Sequence, residues 1–249
     1  MFATIGFMSH KAQSITHEQQ RTRWEKEHAQ PHVLLQMNSN SASSGVEKFV
    51  AWLKQQGKDI GELTGMELCC GKGRNVIWLA RQGVHTIGLD FSETAIAEAK
   101  KRAAAANVPG KAVFMVQDVT RPFAIAPDSL DFAIDCFGST DIESAAGRKA
   151  ALDNIIRVLK PGGYLIVYLL STDDEFHKGM IEKHPGPDAG SFIHPVSGKY
   201  EKAFTEDEVR QFYADLSLVA LERVPKKATF FGKAYDCSHI WAVCQKVAK

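Results

Sequence analysis

The sequence predicts an α/β domain whose core is a mostly parallel sheet covered by helices on both faces. Three observations carry this expectation. Short apolar runs alternate with helical patterns from about residue 60 to residue 170. The runs are almost continuously apolar, as strands are when both faces of a sheet are buried. A chain of 249 residues with 45% hydrophobic side chains also has enough apolar material for one large core.

The elements follow in order. The polar run NSNSASSG at 38–45 reads as a loop capping a helix, because Val46, Phe49, Val50 and Leu53 recur at helical spacing up to Gly57. GMELCC is a short strand, and RNVIWLARQG is a helix closed by Gly83. VHTIGLD is a second strand ending in Asp90, followed by a helix with Ser92 at its cap position. AVFMVQD is a third strand ending in Asp118, and SLDFAIDCFG is a fourth. RKAALDNIIRVLK is a helix and GYLIVYLL a fifth strand. Residues 172–203 then lose all period and are rich in His, Pro, Gly, Asp and Lys, so they read as an irregular insertion. A helix at 205–214 and strand-like runs at 216–224 and 235–246 complete the pattern. The domain therefore covers 46–249. Residues 1–45 have too few apolar side chains for a core of their own. Trp24, Val33, Leu34, Leu35 and Met37 nonetheless need a surface to cover, so the segment is expected to act as a lid.

Charge and composition exclude several classes. A formal charge of +1 argues against binding nucleic acid through bulk electrostatics. The N-terminal apolar run is too short for a signal peptide, and no stretch has the apolar length of a membrane span. Five cysteines at irregular spacing suit reduced thiols in a cytoplasm better than a disulfide framework. Cys69 and Cys70, at a strand end, should point to opposite sides, and no second pair stands at ligand spacing, so no metal is expected.

Ligands of an open parallel sheet bind beyond the carboxyl ends of its strands. Gly71 and Gly73 lie there, between the first strand and its helix, where the backbone can turn tightly and a helix start offers free N–H groups. Asp90 ends the second strand, where a carboxylate can accept from both hydroxyls of a ribose. Asp118 ends the third and can accept from an adenine amino group. The Lys-Ser/Thr pair of a phosphate loop is absent. A nicotinamide-binding loop would need a small residue where Val76 stands.

The series MELCCGKGRN, TIGLDFS, VQDV, LDFAIDCFG and RVLKPGGYLIV resembles the class I S-adenosylmethionine-dependent methyltransferases over about residues 60–170. The resemblance implies a Rossmann-like, doubly wound, mostly parallel seven-stranded sheet and S-adenosylmethionine as cofactor. It places Glu67 against the methionine amino group, Cys69, Gly71 and Gly73 in the glycine loop, Asp90 on the ribose and Asp118 beside the adenine. Phe91, Val119 and Cys136 complete the implied cofactor lining. Cys69 stands where the family has its first glycine, which a small thiol satisfies if the backbone there is ordinary.

The position after the fourth strand reads Asp135-Cys136-Phe137-Gly138 and lacks the Pro-containing motifs of enzymes that methylate nucleic-acid bases. A small-molecule acceptor is therefore the first expectation, with a protein or nucleic-acid acceptor, or a cofactor-binding module without turnover, as alternatives. No catalytic residue is assigned. His177, His184, His194 and Tyr200 in or near the insertion are candidates for a general base, and Trp24 and His28, on one face if their stretch is helical, are the N-terminal candidates.

Overall fold

The computed structural model describes residues 14–30, 39–108 and 110–247. Its seven-stranded sheet comprises β1 (Thr64–Leu68), β2 (His85–Asp90), β3 (Ala112–Val116), β4 (Leu130–Cys136), β5 (Leu159–Leu170), β8 (Ser217–Phe230) and β9 (Lys233–Gln245). β6 (Ser191–Ile193) and β7 (Tyr200–Lys202) form a separate small hairpin. The strand order is β3-β2-β1-β4-β5-β9-β8, with the first five strands parallel and β9 antiparallel to both of its neighbours. The order reverses between β1 and β4, which are in register from Gly65 against Phe132 to Leu68 against Asp135. A crevice opens at such a switch point.

The helices are α1 (His17–His28), α2 (Ser44–Gln55), α3 (Arg74–Arg81), α4 (Glu93–Ala105), α5 (Gly138–Asp141), α6 (Ala145–Val158), α7 (Glu175–Lys183) and α8 (Glu206–Phe212). Period-two alternation sends strand side chains to two cores. Leu165, Val167 and Leu169 of β5 and Ile240, Ala242 and Cys244 of β9 pack with Leu152, Ile155, Val209 and Tyr213 from α6, α8 and its end. Ile166, Tyr168, Trp241 and Val243 pack on the opposite face with Val46, Phe49, Val50 and Leu53 of α2. Trp241 satisfies its buried indole by donating to Gly45 O at 2.9 Å. α3 and α4 close the remaining edge over Phe114.

Two local expectations are corrected. Ser43 occupies the cap position of α2 but makes no side-chain cap bond; its hydroxyl sits 3.1 Å from Cys136 Sγ instead. Residues 172–203 hold a helix and a hairpin where an irregular insertion was expected. Their sequence hides this because polar side chains stabilise them. Asp174 caps α7 by accepting from His177 N at 2.8 Å, and its other oxygen meets His177 Nδ1 at 2.7 Å. Buried Arg148 donates to Ile142 O at 2.7 Å, Tyr200 Oη at 2.8 Å and Asp188 Oδ2 at 2.5 Å. Val33, Leu34, Leu35 and Met37 lie outside the described residues. No helix among the described residues is long and apolar enough to cross a membrane.

Candidate functional site

The crevice at the switch point is a cleft bordered by Glu67, Cys69, Gly71, Asp90, Phe91, Asp118, Val119 and Cys136. Eight of the nine residues expected at the cofactor therefore meet in one place. The ninth, Gly73, lies beneath the cleft and serves the backbone. It precedes α3 with φ +75°, and a Cβ there would come 2.6 Å from the Phe114 ring. The expectation for Cys69 is corrected: its φ is +50°, in the left-handed region that favours glycine, so the thiol is held in a costly conformation. The two cysteines do diverge. Cys69 Sγ faces Gly138, whereas Cys70 Sγ faces Gly88. Burial raises both thiols well above their ordinary pKa and pushes Cys136 up to about 12, so none supplies a thiolate near neutral pH.

Glu67, on β1, is almost wholly buried. Its Oε1 accepts from Asn75 Nδ2 at 2.5 Å, while Oε2 has no hydrogen-bond partner among the described residues. Burial raises its pKa to about 8, against the opposing effects of the Asn75 bond and the Arg74 charge. An orphaned carboxylate oxygen in this setting suits a ligand ammonium, which would supply the missing donor and charge. Asn75 is itself fixed by accepting from Ser43 N at 2.7 Å, which ties the start of α2 to this corner.

Asp90 Oδ2 accepts from Gly71 N at 2.8 Å and Oδ1 from Ser92 N at 2.8 Å, so the carboxylate braces the glycine loop. Burial still raises its pKa to about 6. Each oxygen retains a second lone-pair direction for a diol. Asp118 lies just past β3. Its Oδ1 accepts from Thr120 N at 2.9 Å and Thr120 Oγ1 at 2.7 Å, and its Oδ2 meets His17 Nε2 at 3.0 Å. Partial burial opposes ionisation, but these bonds outweigh it and hold the carboxyl below its ordinary pKa.

α1 forms the remaining wall through His17, Trp24 and His28. Gln20, fully buried, donates to Asp141 O at 2.7 Å and Tyr200 O at 3.0 Å, and accepts from Tyr200 N at 2.9 Å. Glu25 accepts from Thr94 N at 3.1 Å. Trp24 stacks on His28 with centroids 5.6 Å apart, under Lys199 Nζ, which lies 3.3 Å from the Trp24 ring centroid and pairs with Glu27 at 2.8 Å. Burial, reinforced by Lys72, lowers the pKa of His28 to about 4, so its imidazole is neutral near pH 7. The bases expected in the insertion are not in this cleft. His177 and Tyr200 are buried in the contacts described above, and His184 and His194 border shallower hollows elsewhere.

Sequence reasoning missed His17, Asn75, Thr120, Phe137, Asp141 and Glu143 among the bordering residues. His17 had a signal: Thr16 and Gln19 form a capping box that starts α1 immediately before it. Asn75 and Phe137 adjoin quoted motifs, but only the three-dimensional turn aims them inward.

A mostly parallel sheet of this order, with a cleft at its switch point, is a Rossmann-like architecture. Residues 66–163 match a family described as a methyltransferase domain. The chain is 36% identical over 108 residues to a demethylmenaquinone methyltransferase of Beutenbergia cavernae, covering 43% of this chain and 40% of that protein. It is 33% identical over 119 residues to an S-adenosyl-L-methionine-dependent Diels-Alderase of Talaromyces variabilis, covering 47% of this chain and 38% of that protein. A solved S-adenosylmethionine-dependent methyltransferase of Methanosarcina mazei shares the fold at TM-score 0.69 and 21% identity, covering 79% of this chain and 98% of that one. Over residues 66–163 the chain therefore carries the methyltransferase-domain likeness that its motifs implied. It spans less than half the length of the curated relatives it matches.

Proposed function

We propose that the chain transfers a methyl group from S-adenosylmethionine to a small-molecule acceptor by in-line displacement. The carrying observation is the orphaned Glu67 Oε2 in the same cleft as Asp90 and Asp118. Glu67 would take the cofactor's ammonium, Asp90 its ribose hydroxyls and Asp118 its adenine edge, with Phe91 and Val119 beside the rings. When bound, the cofactor supplies an electrophilic methyl on a sulfonium. The chain's own work is to orient the reactants and exclude water. α1 serves the second purpose as a lid, since its Gln20, Glu25 and Glu27 tie it to Tyr200, Thr94 and Lys199 across the mouth. A roofed cleft with Trp24 and Phe137 in its walls favours a compact, partly apolar acceptor over a macromolecule.

The likeness to a Diels-Alderase that depends on the same cofactor supports a second reading, in which the cofactor is bound but not consumed. Screening small oxygen, nitrogen, sulfur and halide acceptors for S-adenosylhomocysteine production separates the two. Methyl transfer requires its formation with at least one acceptor. Binding of cofactor with no S-adenosylhomocysteine from any acceptor contradicts it.

A further inference from the structure

Asp118 is hydrogen-bonded on its cleft side by a residue of α1, which lies outside the matched stretch 66–163. Its carboxylate is divided between two partners. Oδ1 is saturated locally by the Thr120 amide and hydroxyl, at 2.9 and 2.7 Å. Oδ2 faces His17 Nε2 at 3.0 Å, with Arg121 Nε farther away at 3.9 Å on an exposed side chain. The His17 ring is held at its other end as well, where Nδ1 meets Glu143 Oε1 at 3.1 Å. It also stands edge-on to Phe91, with centroids 6.3 Å apart and planes at 84°. His17 thus touches both the acid and the aromatic ring that border the base-binding end of the cleft. Gln20, one turn along α1 from His17, is clamped to Asp141 and Tyr200, so the helix itself is anchored in this position.

We propose that His17 is a cofactor-positioning residue: bridged between Asp118 and Glu143, it orients the Asp118 carboxylate so that Oδ2 reads the exocyclic amino group of adenine. This rests on the reading that the cleft takes S-adenosylmethionine. A carboxylate oxygen has two lone-pair directions. His17 occupies one and fixes the plane, leaving the other for an N–H donor in the cleft. A base carrying a carbonyl oxygen at that position would present an acceptor to an acceptor and be rejected, as sites built around a fixed hydrogen bond reject the analogue that lacks it. Without His17, the Oδ2 side would have only the distant Arg121 to hold it, and discrimination at this atom would fall.

The test is calorimetric titration of the full chain with S-adenosylhomocysteine and with S-inosylhomocysteine, in which the amino group is replaced by oxygen. The wild type should prefer the adenosyl ligand by about tenfold or more, the worth of one hydrogen bond to a charged group. His17→Ala should reduce that ratio to below about a third of its wild-type value, while His17→Gln, which keeps a donor, should restore part of it. Glu143→Gln, which leaves His17 in place but weakens its second anchor, should lie between wild type and His17→Ala and guards against a variant that fails to fold. An unchanged ratio in His17→Ala and Glu143→Gln overturns the inference. Equal weakening of both ligands in His17→Ala also overturns it, since that marks a merely structural role. Failure of the wild type to bind S-adenosylhomocysteine overturns the cofactor reading and this inference together, whereas binding without selectivity overturns only the inference.

Discussion

Cofactor binding should release a proton from Glu67. In the ligand-free protein burial raises its pKa to about 8, so near pH 7 only about one molecule in ten carries the charge. A ligand ammonium placed at the orphaned Oε2 stabilises the charged form, so the carboxyl must ionise as the complex forms. The sign follows: affinity rises with pH while Glu67 is protonated in the free protein and levels off above its pKa. Between about pH 6 and about pH 7.5 the gain should approach tenfold per pH unit, or about 1.4 kcal/mol, and close to one proton should leave near pH 7. Asp90, raised to about 6, steepens the dependence at the acid end of this window. Calorimetry with S-adenosylhomocysteine in two buffers of different ionisation enthalpy measures affinity and proton release together. Glu67→Gln preserves the Asn75 contact geometry but removes the charge. It should flatten the profile above about pH 6.5 and cost about 10- to 150-fold in affinity at about pH 8.5, the worth of a charged hydrogen bond. A flat wild-type profile across the window, or binding with no proton release, would refute the reasoning.

Asp90→Ala removes the brace on Gly71 N and the acceptors proposed for the ribose, and should weaken S-adenosylhomocysteine binding by more than about tenfold in the same calorimeter. Two loop substitutions should move stability in opposite directions in a thermal melt. Cys69→Gly relieves a left-handed residue and should raise Tm by about 1–4 °C, net of the added chain entropy. Gly73→Ala drives a Cβ into the Phe114 ring at φ +75° and should lower Tm by about 4–12 °C. Saturating S-adenosylhomocysteine should slow proteolytic cleavage around α1 several-fold, as expected of a lid. Equal cleavage with and without ligand counts against that role.

The parallel strands were legible because they are short, mostly apolar runs, and α4 because it carries a conventional start, with Ser92 accepting from Ala95 N at 3.0 Å as its position implied. Asp90 and Asp118 were legible for a related reason: each was read at the end of a strand, and a parallel sheet gathers its carboxyl ends at one edge. Glu67 lies inside β1 and was legible only through the family resemblance. The cost at Cys69 was hidden, because a one-letter code does not reveal φ. Residues 172–203 misled in two ways. Their order comes from buried polar contacts such as Arg148 with Asp188 and Tyr200, which have no periodic signature. Their histidines lie away from the cleft that His17, Trp24 and His28 of α1 border, and the mean polarity of α1 conceals a buried face of Gln20, Trp24 and His28. A helix whose buried face is built from Gln, Trp and His need not look amphipathic in the ordinary sense.

Single-turnover mass spectrometry with S-adenosylmethionine deuterated on its methyl group follows the transferred atoms themselves, using an acceptor identified by the screen. The labelled methyl should appear on the acceptor, with one S-adenosylhomocysteine formed per methylated product, and Glu67→Gln should lower the yield at sub-saturating cofactor. An acceptor converted to an unmethylated product while the labelled S-adenosylmethionine is recovered intact would contradict methyl transfer as the activity of this cleft.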